Sequence, residues 1–175
     1  MNAQLLSLTK AQINLYPKTA LLFGLLSLLF LSTVQAQEMD DEAAVRAVVD
    51  QFFEAFHAQD TVRLQAFAAP DIVLQSIGKN KEGKVLWRKE KFENFVKSIG
   101  SIPETTKFEE KLLSYSIQVD GVMANAWTEY EFWINGEFSH CGVNSFHMVK
   151  LEGDWKISYL IDTRRRAACD AAKGK

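Results

Sequence analysis

The sequence predicts an α+β domain in which helices pack on the inner face of a curved, mostly antiparallel sheet. Three observations carry this. A helical repeat of apolar residues follows residue 40, four long β-rich runs fill the second half of the chain, and the turn signals Asp120-Gly121, Asn135-Gly136 and Glu152-Gly153-Asp154 separate those runs.

The elements follow in order. Val45, Val48, Val49, Phe52, Phe53 and Phe56 form one helical face between residues 41 and 58. Asp40, Asp41 and Glu42 supply a capping oxygen and negative charge at its start, where the helix dipole favours them. Asp60-Thr61 caps a second, short helix running through Phe67, which Pro70 stops. Residues 71–77 read as a first strand leading to a polar, lysine-rich loop. A third helix is expected over 89–99, with Phe92, Phe95, Val96 and Ile99 on one face. Strands are then expected over 106–119, 122–134, 137–151 and 155–165. No internal repeat or low-complexity linker interrupts them.

The first 36 residues read as a cleaved secretory signal. Lys10 and Lys18 precede an apolar run from Thr19 to Val34, and Val34-Gln-Ala36 offers the small residues a signal peptidase requires. The run contains Gly24 and Ser27 and falls short of the roughly 20 apolar residues of a spanning helix, so no lasting membrane anchor is expected. Removing 36 of 175 residues leaves 139, one domain over residues 37–175. It also takes the basic count from 20 to 18 against 22 acidic residues, a formal −4, which argues against a nucleic-acid partner. The basic clusters in 79–91 and at Arg164-Arg165-Arg166 read as solvated surface. The predicted location is periplasmic or secreted, an oxidising setting for Cys141 and Cys169.

Glu54-Ala-Phe-His-Ala-Gln-Asp60, Phe67-Ala-Ala-Pro-Asp-Ile-Val73 and Gly153-Asp-Trp-Lys-Ile157 resemble the nuclear transport factor 2-like superfamily. His140-Cys-Gly-Val-Asn-Ser-Phe146 with Ile161-Asp-Thr-Arg-Arg165 resembles, more narrowly, its bacterial subgroup labelled lumazine-binding. The resemblance implies a SnoaL-like fold, a cone-shaped barrel of strongly bent sheet closed by three helices around an internal pocket. The superfamily includes ketosteroid isomerases, polyketide cyclases, dehydratases and non-catalytic binding domains, so fold alone does not assign function. Aligned on the isomerases, the base position falls on Gln75, the first-helix tyrosine on Phe52 and the strand acid near Phe146. None of these three can perform the corresponding step.

The same orientation directs Thr128, Tyr130 and Phe132 of one central strand and His140, Asn144, Phe146 and Met148 of the next into the pocket, joined by Gln75, Tyr159 and Thr163. This lining is mostly aromatic with a few polar atoms, suited to a small hydrophobic or aromatic molecule. It requires a three-residue loop or a bulge near Asn135-Gly136. A plain two-residue turn would instead pair Glu131 with His140 and Trp127 with Asn144, giving His140 a carboxylate neighbour that raises its pKa. His140 is the candidate catalytic residue. His140 and His147 lie an odd number of residues apart on one strand and so on opposite faces, and no zinc-type spacing is present; neither metal nor cofactor is expected. His57 reads as a surface residue at a helix end.

The last hairpin places Cys141 opposite roughly Arg165, four residues from Cys169, within reach of a disulfide that would pin the C-terminal tail; the alternative is a reactive thiol. Asp162 and Arg164 share a face at the end of the last strand, framing a pocket mouth or a dimer contact, and an arginine there suits an anionic ligand group. Three functions fit these residues: an exported small-molecule-binding domain; an isomerase, cyclase or lyase using His140; or a non-catalytic partner domain forming a homodimer through outward Trp127 and Trp133.

Overall fold

The computed structural model describes residues 40–169. The expected leader over 1–36 lies outside them.

Helix α1 spans 40–57 and buries Val45, Val49, Phe52, Phe53 and Phe56, the face its periodicity marks. Its early acid Asp41 is held by Lys150 Nζ at 2.5 Å and by the Trp155 indole N–H at 3.4 Å, which fastens the helix start to the last hairpin. Helix α2, Thr61–Ala66, begins on Asp60, whose side chain accepts from the Arg63 N–H at 3.0 Å. Then come β1, Ala68–Lys79, and β2, Val85–Lys91. Helix α3 is Phe92–Gly100, and β3 to β7 are Phe108–Leu112, Ser116–Asp120, Met123–Ile134, Glu137–Leu151 and Asp154–Arg165.

The strands form one sheet in the order β2-β1-β7-β6-β5-β3, with β4 also paired to β5. Among the described strands only β1 and β7 pair in parallel. The sheet is mixed and open rather than a closed barrel, and the three described helices cover its concave face. Small Ala124 and Ala126 on β5 make room for the aromatic face of α1. Phe146 on β6 meets the Phe52 and Phe53 rings edge-on, each at 6.0 Å between centroids.

Three expected element boundaries are corrected here. The second half of the lysine-rich loop is strand β2, which runs on through Lys91, and α3 starts three residues later than expected. Lys89 and Lys91 belong to an edge strand whose outer face is solvated, so its sequence lacks the apolar alternation of a half-buried strand, and the lysines discourage further pairing. The single strand expected over 106–119 is two, β3 and β4. Between them Tyr115 hydrogen-bonds Asp50 on α1 and lies under the Arg46 guanidinium at 4.1 Å, and three residues stand opposite two of β5.

Bulges decide which side chains face inward. Asn135 and Gly136, both at positive φ, make a two-residue turn that pairs Ile134 with Glu137, and Ser139 is then extra, so Phe132 pairs with His140 and Thr128 with Asn144. Even-numbered residues of both strands therefore share the concave face. The register that sets Glu131 against His140 is overturned: Glu131 pairs with Cys141 and Trp127 with Ser145. A second bulge at Ser158 switches β7 from Trp155 and Ile157 inward to Leu160, Asp162 and Arg164 inward.

Cys141 pairs with Arg165 across β6 and β7 and is bridged to Cys169, which brings the segment after β7 onto the outer face of the sheet. Among the described residues no cysteine is free and no helix is long and apolar enough to cross a membrane.

Candidate functional site

Between the helices and the sheet lies a cavity of ≈ 350 Å³. One part is walled by rings, chiefly Phe52, Phe56, Phe95, Phe108 and Phe132, with Leu160 and Ile99. The other is polar, and the register explains how separate strands assemble it. Glu110, Phe132 and His140 form one row across β3, β5 and β6; Tyr130, Gly142 and Arg164 form the next across β5, β6 and β7; Thr128, Asn144, Asp162, Ser76 and Arg88 form a third from β5 to β2.

Glu110 is the residue that sequence reasoning missed. Its side chain sits among Phe56, Phe108 and Phe132, with one carboxyl oxygen accepting from Asn144 Nδ2 at 2.7 Å, and Asn144 also reaches Thr128 Oγ1 at 3.4 Å. Burial pushes the carboxyl up to about 8. The Asn144 bond opposes that rise, the negative charge of Asp162 adds to it, and Arg164 opposes it. Glu110 therefore holds a proton at neutral pH. The signal was present in Phe108-Glu-Glu110-Lys-Leu112, where strand alternation sets an acid on the same face as two large apolar side chains.

The Glu110 backbone N–H donates to His57 Nε2 at 2.8 Å, so His57 is a half-buried acceptor joining α1 to β3 rather than a surface residue. Burial lowers its pKa, and this bond requires the neutral ring. His140 lines the cavity with Nδ1 3.1 Å from Ser139 Oγ and its ring against Phe132, centroids 5.0 Å apart. It gains no carboxylate neighbour that raises its pKa above the ordinary range. Burial, then Arg164, with a smaller push from Arg166, hold it down at about 4 against the opposing pull of Asp162. His140 is neutral under physiological conditions.

Tyr130 donates to the Thr163 carbonyl at 3.0 Å and lies 3.4 Å from Asp162 Oδ2, and Arg164 Nε donates to the same carboxylate at 2.7 Å. Burial, with Asp162 and Glu110 nearby, raises the Tyr130 pKa, so the phenol keeps its proton. Gly142 permits this arrangement: a Cβ there would stand 1.7 Å from the Thr163 carbonyl oxygen and 2.7 Å from the Tyr130 ring.

Of the residues expected to line the pocket, Tyr130, Phe132, His140 and Asn144 come together around it, while Thr128 is buried beneath Asn144. Phe146 and Met148 are core residues packed beyond the cavity. Gln75 borders the space, but its amide oxygen accepts from Trp87 Nε1 at 2.7 Å and from the Tyr159 hydroxyl at 2.9 Å, a cluster on the convex face. Tyr159 and Thr163 are corrections. The Ser158 bulge turns them outward, Tyr159 against the His147 ring and Thr163 as acceptor for the Val143 N–H at 3.1 Å. Arg88 and Glu90 of the missed strand β2 take places at the cavity. No group of three or more potential metal ligands occurs among the described residues.

This arrangement of bent sheet, helical cover and lined cavity accompanies a match to the SnoaL-like domain profile over residues 45–160. The chain belongs to the SnoaL-like domain family. Solved structures carry the same fold, several of them described as NTF2-like. A Mycobacterium tuberculosis protein of unknown function aligns with a TM-score of 0.60 at 14% identity, covering 79% of each chain. An NTF2-like protein with a cystatin-like fold from Novosphingobium aromaticivorans gives 0.58 at 13%, covering 81% of this chain and 92% of that one. An NTF2-like protein of unknown function from Pseudomonas putida gives 0.57 at 17%, covering 71% and 87%. No curated protein sequence matches the chain. At these identities the likeness speaks for fold, and function has to be argued from the cavity itself.

Proposed function

We propose that this SnoaL-like protein is an exported domain that binds a small, largely apolar or aromatic molecule bearing a polar head. The supporting observation is the ≈ 350 Å³ cavity with phenylalanine walls and hydrogen-bonding groups gathered at one part of it, a volume and lining in the range of small-molecule sites. Export is supported by the Cys141–Cys169 bridge, since such bonds persist in oxidising compartments. Native mass spectrometry of protein purified from its own host tests the reading: a co-purifying small molecule, released on denaturation, is expected, and an empty protein under native conditions contradicts it.

A second reading is a proton-transfer enzyme on the same scaffold. It is favoured by the protonated Glu110 and the neutral His140 two strands apart across Phe132, a donor and an acceptor facing one space. His140→Ala separates the two: lost turnover with retained ligand affinity favours the enzyme, and lost affinity favours the binder. A homodimer is the third reading, favoured by Trp127, half exposed on the convex face. Sedimentation of the purified protein distinguishes a dimer from a monomer.

A further inference from the structure

Among the groups at the polar part of the cavity, Arg164 and Glu110 have bonding capacity that no described residue uses. Arg164 engages only its Nε, on Asp162, and its two terminal nitrogens have no hydrogen-bond partner among the described residues. Glu110 accepts from Asn144 on one oxygen, while its other oxygen has no partner among the described residues. Both residues line the same cavity. One oxygen of Asp162, whose charge would repel an anion, is engaged by both Arg164 Nε and the Tyr130 hydroxyl.

We propose that this part of the cavity takes the carboxylate of an apolar, ring-bearing organic acid, held by the terminal nitrogens of Arg164 and by a proton on Glu110. The inference rests on the binding reading above and names its ligand class. A guanidinium offers paired donors matched to a carboxylate, and a neutral carboxyl donates a short, charge-assisted bond to one. An ionised Glu110 could not donate that bond: in a cavity walled by phenylalanines and bonded to a single amide, it would set a second negative charge against the ligand. The phenylalanine walls accept the ring-bearing body.

Binding is therefore linked to the Glu110 proton. The charged and titratable groups around it are His57 from α1, Tyr130 from β5, His140 from β6, and Asp162 and Arg164 from β7, with Arg88 and Glu90 of β2 also lining the cavity. Both histidines are held below their ordinary values and Tyr130 above its own, so none of these three changes charge between about pH 7 and about 9.5. Glu110, at about 8, does.

The test is calorimetric titration of the purified protein with 3-phenylpropanoate, 3-phenylpropanamide and 3-phenylpropanol. The acid is expected to bind at least about tenfold more tightly than the amide or the alcohol at pH 7, and Arg164→Gln to remove that preference. Its affinity is expected to fall roughly tenfold per pH unit above about pH 8, and Glu110→Gln, which keeps a donor, to abolish that slope. Equal binding of the three compounds overturns the carboxylate assignment and leaves the cavity reading standing. A pH slope that survives in Glu110→Gln, or its absence from the wild type, overturns the role of the Glu110 proton. Failure of all three compounds to bind overturns the ligand class, while native mass spectrometry decides separately whether the cavity holds a ligand at all.

Discussion

Glu110→Gln should make stability less dependent on pH, by an amount the structure fixes. In the unfolded chain Glu110 loses its proton near 4.5, and in the native protein it holds the proton until about 8. Between these values the native state binds the additional proton, so stability falls as pH rises from about 4.5 and levels off above about 8. At pH 7 the cost is about 3 kcal/mol at ~1.4 kcal/mol per pH unit, and water reaching the cavity side of the carboxyl reduces it to about 2–3 kcal/mol. Glutamine keeps the oxygen that accepts from Asn144 and removes the titration. Urea unfolding of both proteins at pH 5, 7 and 8.5 measures the effect. The half-buried His57 and His140 are present in both proteins, so the difference between the curves isolates Glu110. Glu110→Gln should gain about 2–3 kcal/mol on the wild type between pH 5 and pH 7, and more by pH 8.5. A difference that stays constant across that range would refute the argument that Glu110 is buried as the neutral acid.

Two further outcomes follow from local geometry. Gly142→Ala should destabilise the protein by about 3 kcal/mol, because its Cβ meets the Thr163 carbonyl and the Tyr130 ring together, and a thermal melt within a degree of wild type would contradict that packing. Replacing both Cys141 and Cys169 by serine should cost about 3 kcal/mol, given a closure spanning 28 positions in sequence, and titration of the denatured, unreduced wild type should find no free thiol.

How far the sequence could be read depended on how local the signal was. The aromatic face of α1 and the Asn135-Gly136 and Glu152-Gly153 turns carry their information within a few residues, and they fold as expected. Strand β2 was hidden because an edge strand with lysines on its outer face needs no apolar alternation. The assignment of faces on β7 failed at Ser158, since a bulge reverses every side chain after it and leaves no residue signature of its own here. His140 and Asn144 were legible as inward polar residues on a central strand. Glu110 was legible in principle from its place between Phe108 and Leu112, but its partners His57 and Asn144 lie 53 and 34 positions away in the chain, and only the fold brings them together. The environment that keeps its proton is likewise tertiary.

A binding site and a packing defect make opposite demands on the cavity. Native mass spectrometry of the wild type beside Ser76→Phe, both purified from the native host, tells them apart most directly. Ser76 lines the cavity, so the added ring fills it without removing a core contact. A small molecule is expected on the wild type and none on a folded Ser76→Phe; the same bound mass on both proteins, or on neither, would show the cavity to be packing.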